Sequence, residues 1–382
     1  MKHKSRHTMH STTRFHFSRG LLAAWVLGIG SAGSAAAFDV KPEARLHLDY
    51  AHHNADAKPL DDGWAVRRAT VGLKGKFNTD WSFEAAYELS DDGHLRPRDG
   101  KFKDVTLSYE GWNAVSITAG QFKVPFGLEE LTSSNDISFI ERALPVDAFG
   151  LSRRLGMGLD HQRANYTASA MVFGSVIEGD ERGRGAAVRL TAAPVHSAQS
   201  VVHLGIAAVT EKPDSKVDFD ASPESRVADT DLVNTGGISD VSRIHRIGLE
   251  GAWRNGPFSL QSEWMRAQVR RNAGHANANL DGWYVAGSWV LTGESRPYKK
   301  GRFKGIEPAR AAGAWELSAR YSRIDLDDGQ VRGGRQHNTS VGLNYYLGKN
   351  LRVMLNYIQA HSQRRGINDD PSILLLRMQL TM

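Results

Sequence analysis

Side-chain alternation with a period of two, repeated along almost the whole chain, is the feature that most restricts what this sequence can fold into. In residues 81–89, Trp81, Phe83, Ala85, Tyr87 and Leu89 share one face, while Ser82, Glu84, Ala86 and Glu88 share the other. Trp315, Leu317, Ala319 and Tyr321 alternate with Glu316, Ser318 and Arg320. The chain ends on Leu374, Leu376, Met378, Leu380 and Met382 set against Leu375, Arg377, Gln379 and Thr381. Successive side chains of a strand point to opposite faces, so each such segment reads as a strand with one apolar and one polar side. The pattern predicts sixteen strands, at 43–53, 64–77, 80–90, 103–110, 113–121, 152–161, 164–173, 183–194, 200–211, 242–253, 257–270, 280–293, 312–324, 335–347, 350–361 and 371–382. Tight turns at Asn78-Thr79, Gly111-Trp112 and Gln162-Arg163 alternate with long connections at 91–102, 122–151, 174–182 and 212–241. The stretch 294–311 is long where strand parity calls for a short turn.

Alternation alone permits a soluble sandwich as well as a barrel. Two features favour a barrel in a membrane. The apolar faces end in aromatic residues, among them Trp81, Trp283, Trp289, Trp315, Tyr345 and Tyr357, which suits interfacial girdles. In hydrocarbon every backbone N–H and C=O must pair, so strands that cross a bilayer must close on themselves. The expected fold is therefore all-β, a 16-stranded antiparallel transmembrane β-barrel. Such a barrel is wide enough for a water-filled lumen, which makes passive diffusion the default function. The connection between the fifth and sixth strands, 122–151, is rich in apolar residues for an exposed loop, with Phe122, Val124, Phe126, Ile137, Phe139, Ile140 and Phe149. The inner wall is the surface it has to pack on, so it is expected to fold inward and narrow the pore.

The first segment differs from the rest. Lys2, Lys4, Arg6, Arg14 and Arg19 precede an apolar run from Leu21 to Ile29 and then Ala35-Ala36-Ala37. This is the layout of a secretory signal peptide, with cleavage expected after Ala37 and a barrel domain over 38–382. The apolar run is too short to span a bilayer as a helix. The whole chain carries 48 basic and 42 acidic residues; removing the leader takes away five basic residues and no acid, so the two signs nearly balance. Any preference among ions must then come from where the charges sit. With no cysteine in 382 residues, disulfides and thiolate metal sites are excluded. Neither a G-x-S-x-G, an H-E-x-x-H nor a P-loop occurs, so no enzyme is expected. The match of Gly28 to Gly33 to G-x-G-x-x-G falls inside the leader and is chance. The 15 histidines, His52-His53 included, show no metal-ligand spacing, and no metal or other cofactor and no nucleic-acid partner is expected.

The segment running from Gly120-Gln121-Phe122-Lys123-Val124-Pro125-Phe126-Gly127 through Leu128-Glu129-Glu130-Leu131-Thr132-Ser133-Ser134, followed by Glu141-Arg142, resembles the phosphate- and polyphosphate-selective porins, the porin O and P family. Arg67-Arg68-Ala69 with Gly72 and Trp81, and Leu291-Thr292-Gly293-Glu294-Ser295-Arg296 with Gly313-Ala314-Trp315-Glu316-Leu317, extend the likeness over nearly all of 38–382. The resemblance implies a homotrimer in outer-membrane lipid, each barrel with its own pore for small phosphate-like anions. It implies pore-lining roles for Arg45, Arg67, Arg68 and Arg142, for the hydroxyls of Thr132, Ser133 and Ser134, and for a constriction carboxylate at Asp104. Guanidinium suits such a role because it stays charged and offers forked donors to phosphate oxygens. From alternation, Arg68 shares a face with Thr70, Lys74 and Lys76, while Arg67 falls on the opposite parity and needs a bulge or a subunit contact. The bland readings are a wall ion pair from Arg68 to Glu84 or Glu88, a loop-anchoring pair of Arg142 with Glu141, backbone capping by Ser133 and Ser134, and a solvated connection for Lys299, Lys300, Arg302 and Lys304. The sequence also departs from the selective members: Glu130, Ser82 and Asn135 stand where they carry lysine, and the segment 212–241, their arginine-rich ladder, is acidic here. A general or differently selective porin on the same fold is the alternative.

Overall fold

The computed structural model describes residues 38–382 apart from 92, 179–181, 215 and 273; the expected leader lies outside the described residues. Sixteen long strands form one antiparallel sheet: β1 Asp39–Asn54, β2 Gly63–Lys76, β3 Trp81–Glu88, β4 Lys101–Trp112, β5 Val115–Lys123, β6 Arg153–Gln162, β7 Tyr166–Phe173, β8 Gly183–His196, β9 Ser200–Pro213, β10 Val241–Asn255, β11 Phe258–Arg271, β12 Ala278–Val290, β13 Ala314–Asp328, β14 Val331–Leu347, β15 Leu351–Arg364 and β16 Ser372–Thr381. Each pairs with the next. β1 pairs with β16 from Arg45 opposite Thr381 to Asn54 opposite Ser372, so the sheet closes and leaves no edge. All sixteen lie where the alternation places them. The turn expected at Gly111-Trp112 lies two residues later, because β4 is bulged near its end and runs on to Trp112.

The barrel is polar inside and greasy outside. On β13, Trp315 is 41% and Leu317 46% exposed, whereas Glu316 is 0% and Arg320 4% exposed. A water-soluble fold would invert this arrangement; a lipid-facing wall requires it. Outward rings gather in two bands. At the short-turn end Trp81 meets Tyr109, Phe258 meets Trp289 and Trp315 meets Tyr345. At the long-loop end Tyr50 meets Trp64 and Trp283 meets Tyr321.

The interior is filled on one side. The connection between β5 and β6 folds inward, as its composition predicts, and carries two short helices, α1 Leu128–Leu131 and α2 Leu144–Phe149. Val124, Phe126, Leu144, Val146 and Phe149 pack against Met265, Val269, Leu280 and Ile324 of the inner wall. Phe219, Val233 and Ile238 of the acidic connection between β9 and β10 join the same cluster. Polar wall residues hold this plug. Glu263 of β11 accepts from the backbone N–H groups of Leu128 and Glu129 at 2.7 and 2.8 Å, satisfying donors at the start of α1. Arg352 of β15 donates to the carbonyl of Ile137 at 2.7 Å, and Asn356 accepts from the N–H of Ile140 at 2.8 Å. Arg377 of β16 donates to Asp49, to Glu141 and to the Ile140 carbonyl. The open part of the lumen is left against β1 to β8.

Candidate anion pathway

A cavity of about 520 Å³ occupies that open part. Its lining comes from β1 to β8, from the inward loop, and from the connection 291–313, which also turns inward. That connection bears a small hairpin, with Tyr298 paired to Phe303. Arg302 of the hairpin donates to the Leu131 carbonyl at 3.1 Å, and Arg189 of β8 donates to the Gly301 carbonyl at 3.1 Å. Loop and hairpin thus meet inside the barrel from opposite ends. This explains the length of 291–313 and corrects its reading as a solvated connection: Lys300, Arg302 and Lys304 all line the cavity.

Seven of the eight residues singled out from the sequence line this cavity: Arg45, Arg67, Arg68, Asp104, Ser133, Ser134 and Arg142. Thr132 does not. Its hydroxyl donates to the Leu128 carbonyl at 2.8 Å, closing the last turn of α1, and it is buried on the far side of the loop. Arg67 and Arg68 both reach the lumen because β2 is bulged between them. His47 of β1 pairs with Arg68, but Leu48 pairs with Val66, so Arg67 is the extra residue. A bulge lets neighbouring residues point to the same side, which strict alternation forbids. A second bulge does the same on β4: Ala85 pairs with Val105 and Tyr87 with Phe102, bringing both Lys103 and Asp104 to the cavity.

The ion pairs divide the cations into two sets. Arg67 binds Glu141 through two bonds of 2.8 and 3.0 Å. Burial would push the Glu141 carboxyl up, but Arg67, Arg377 and Arg68 overcome it and hold it well below the usual carboxylate range. Arg153 binds Asp104. Arg142 pairs with Glu130 rather than with Glu141, and it also donates to the carbonyls of Glu129, Glu130 and Thr132, so its first task is to shape the loop. Glu130 also takes Lys123, and with Arg142 these cations hold its carboxyl below the usual range against the cost of burial. Arg45 and Arg68 are different. Among the described residues neither forms an ion pair. Arg45 donates to the Ser134 hydroxyl at 3.3 Å, and the buried Nη1 of Arg68 has no hydrogen-bond partner. The bland reading of Arg68, a wall pair with Glu84 or Glu88, is not what the geometry gives: Glu88 accepts from Thr70, Ser90 and the N–H of Ala69. Ser133 does accept from the N–H of Asn135 at 3.2 Å, the capping role considered for it.

Alternation missed Lys103, Lys123, Arg153, Arg189, Lys300, Arg302 and Lys304 as lining residues. Arg189 sits on a clean inward face and was legible in principle, whereas Arg153 has the parity of the outward Leu155 and Met157 and was not. The hairpin cations were not, since nothing local says that their segment enters the barrel.

The comparison with known families agrees with this construction. The family model for the phosphate-selective porins O and P matches residues 40–382. The chain belongs to that family. Porin O of Pseudomonas aeruginosa is 26% identical over 92% of this chain and 90% of its own length. An uncharacterised protein of Caulobacter vibrioides is 26% identical over 83% of this chain and 67% of its own length. Among solved structures, the anion-selective porin of Comamonas acidovorans superposes with a TM-score of 0.58 at 13% identity, covering 91% of this chain and all of that one. The channel DcaP of Acinetobacter baumannii gives 0.60 at 9% identity, covering 92% of this chain and 99% of that one. This porin is thus a β-barrel channel of the outer membrane, and members of its family are channels rather than enzymes.

Proposed function

We propose that this porin passes small, multiply charged anions of the phosphate class down their concentration gradient. The observation that carries the reading is the pair Arg45 and Arg68, two guanidinium groups on the cavity without carboxylate partners and with a serine hydroxyl beside them. Lining cations without counter-charges favour anions in a pore, and guanidinium matches phosphate oxygens two at a time. The description of the matched family, the phosphate-selective porins O and P, points the same way. Zero-current potentials across a planar bilayer in a salt gradient, with phosphate then competing against chloride, are the test. An anion-preferring sign with phosphate slowing chloride current is expected; a cation-preferring sign would remove the proposal.

A second reading, a general porin with weak preference, is favoured by the pairing of Glu130 with Arg142 and Lys123 and of Asp104 with Arg153, which neutralises part of the lining. Equal anion and cation permeability with no phosphate effect would select it. We further propose cleavage of the leader after Ala37, from its basic, apolar and small-residue sequence, and a homotrimeric assembly, from family membership. N-terminal sequencing of the mature protein and cross-linking in detergent test these two.

A further inference from the structure

The outer wall carries charge where a lipid-facing surface is expected to avoid it. On the outward face of β8 to β11, at the long-loop end, Arg184 lies opposite Lys212 and Arg243 lies opposite Arg270. Glu211 pairs with Ile244, so Lys212, next along β9, comes beside Arg243. The result is one row of four exposed cations across four adjacent strands. Like charges set directly opposite one another in a sheet are destabilising. Among the described residues none of the four forms an ion pair: Arg243 donates to the Thr210 hydroxyl at 3.2 Å and Arg270 to the Gln268 amide oxygen at 3.4 Å. On β14 the outward Arg335 is instead compensated by Asp325 at 2.8 Å.

Below the row the wall is hollowed. Ala186 and Ala208 are small, and with Val188, Ile247, His245 and Gln268 they border an outward groove of about 520 Å³. Beneath it the wall returns to Leu190, Ile206 and Leu249, all exposed to lipid. Outer-membrane barrels present their long loops outward, so the row sits at the headgroup level of the outer leaflet and the groove at the top of its acyl region. A cation at that depth costs little to place and attracts phosphate strongly.

We propose that the row and groove form a binding site for a phosphorylated, acylated lipid of the outer leaflet, with its phosphates on Arg184, Lys212, Arg243 and Arg270 and one acyl chain along Ala186 and Ala208. The four side chains point away from the lumen, so this site is separate from the anion pathway. The test uses the full-length mature porin in detergent and measures binding of bisphosphorylated lipid A, of its dephosphorylated form, and of lipid A in the presence of inorganic phosphate. Wild type is expected to prefer the phosphorylated lipid by about tenfold or more, and inorganic phosphate at the same concentration should not displace it. The combined variant Arg184→Gln, Lys212→Gln, Arg243→Gln and Arg270→Gln should lose that preference while its pore keeps the wild-type zero-current potential. Equal binding of the two lipids by wild type, displacement by free phosphate, or an unchanged variant would overturn the proposal. So would dissociation of the variant's oligomer, which would make the row a contact between copies.

Discussion

The Glu130 carboxylate lies between two cations, 3.1 Å from Arg142 Nε and 3.3 Å from Lys123 Nζ. Both cations line the pore, and one acid quenches much of their field. Glu130→Gln removes that charge while keeping the size and shape of the side chain and one acceptor oxygen. A unit charge a few ångströms from the permeation path is worth on the order of 1 kcal/mol in a partly aqueous setting, or about fivefold in relative permeability. The expected result is a shift of the zero-current potential toward stronger anion preference. A shift toward cations would mean that Glu130 orders the lining rather than opposing it.

The two unpaired arginines should carry the opposite effect. Arg45→Gln with Arg68→Gln is expected to lower anion preference by about tenfold, equivalent to about 1.4 kcal/mol. Arg142→Ala with Arg68→Ala, which combines two of the four arginines implied by the family resemblance, is the less clean experiment. Arg142 holds three loop carbonyls, so its removal loosens the constriction as well as discharging it. Ion selectivity of the Arg45 and Arg68 variant in a salt gradient, with conductance as a check on pore width, distinguishes discharge from rearrangement. An unchanged preference would move the anion path to the hairpin cations.

Arg377 ties the inward loop to the closing strand. It is fully buried, with both Asp49 oxygens at 2.7 Å, Glu141 at 2.7 Å and the Ile140 carbonyl at 2.5 Å. Arg377→Met leaves the buried Asp49 without its counter-charge and Glu141 with Arg67 alone, and breaking a buried pair from one side costs about 3 kcal/mol or more. Thermal or urea unfolding in detergent should show that loss. Adding Asp49→Asn to the same chain should recover part of it, because the stranded charge is then gone. Equal stability of the single and double variants would show that water in the lumen screens the site.

Which parts of this were legible follows from what each residue's neighbours require. Trp315, Glu316 and Leu317 disclose their own orientation, because a lipid-facing wall imposes period two at every step; the sixteen strands and their closure followed from such runs. The apolar content of 122–151 likewise disclosed its inward course. Arg67 could not be placed by parity, because an extra residue in β2 resets the alternation, and only the pairing of Leu48 with Val66 reveals it. Lys300 and Arg302 were hidden for a different reason: their hairpin is held by groups remote in sequence, the Leu131 carbonyl and Arg189. The acidic segment 212–241 was also opaque. Its Glu224 proves to be a plug contact, receiving Ser322, Ser340 and Arg320 of the wall.

Asp220 in that same segment should make its seating depend on pH. Burial, and then the nearby Asp231 and Asp147, push its carboxyl from 3.8 up to about 6, with Arg226 acting against them. A carboxyl whose folded value is raised binds its proton more tightly in the packed state. The stabilisation is therefore complete below 3.8 and is lost as pH rises through about 6. Hydrogen exchange of the 214–240 backbone, corrected for the intrinsic pH dependence of exchange, should be slower at pH 5 than at pH 7.5. Asp220→Asn should make the protection nearly the same at the two pH values, since the amide has no proton to lose. Protection that instead rises with pH in the wild-type chain would show that the pairing of Arg226 with Asp147, not the burial of Asp220, governs how this loop sits on α2.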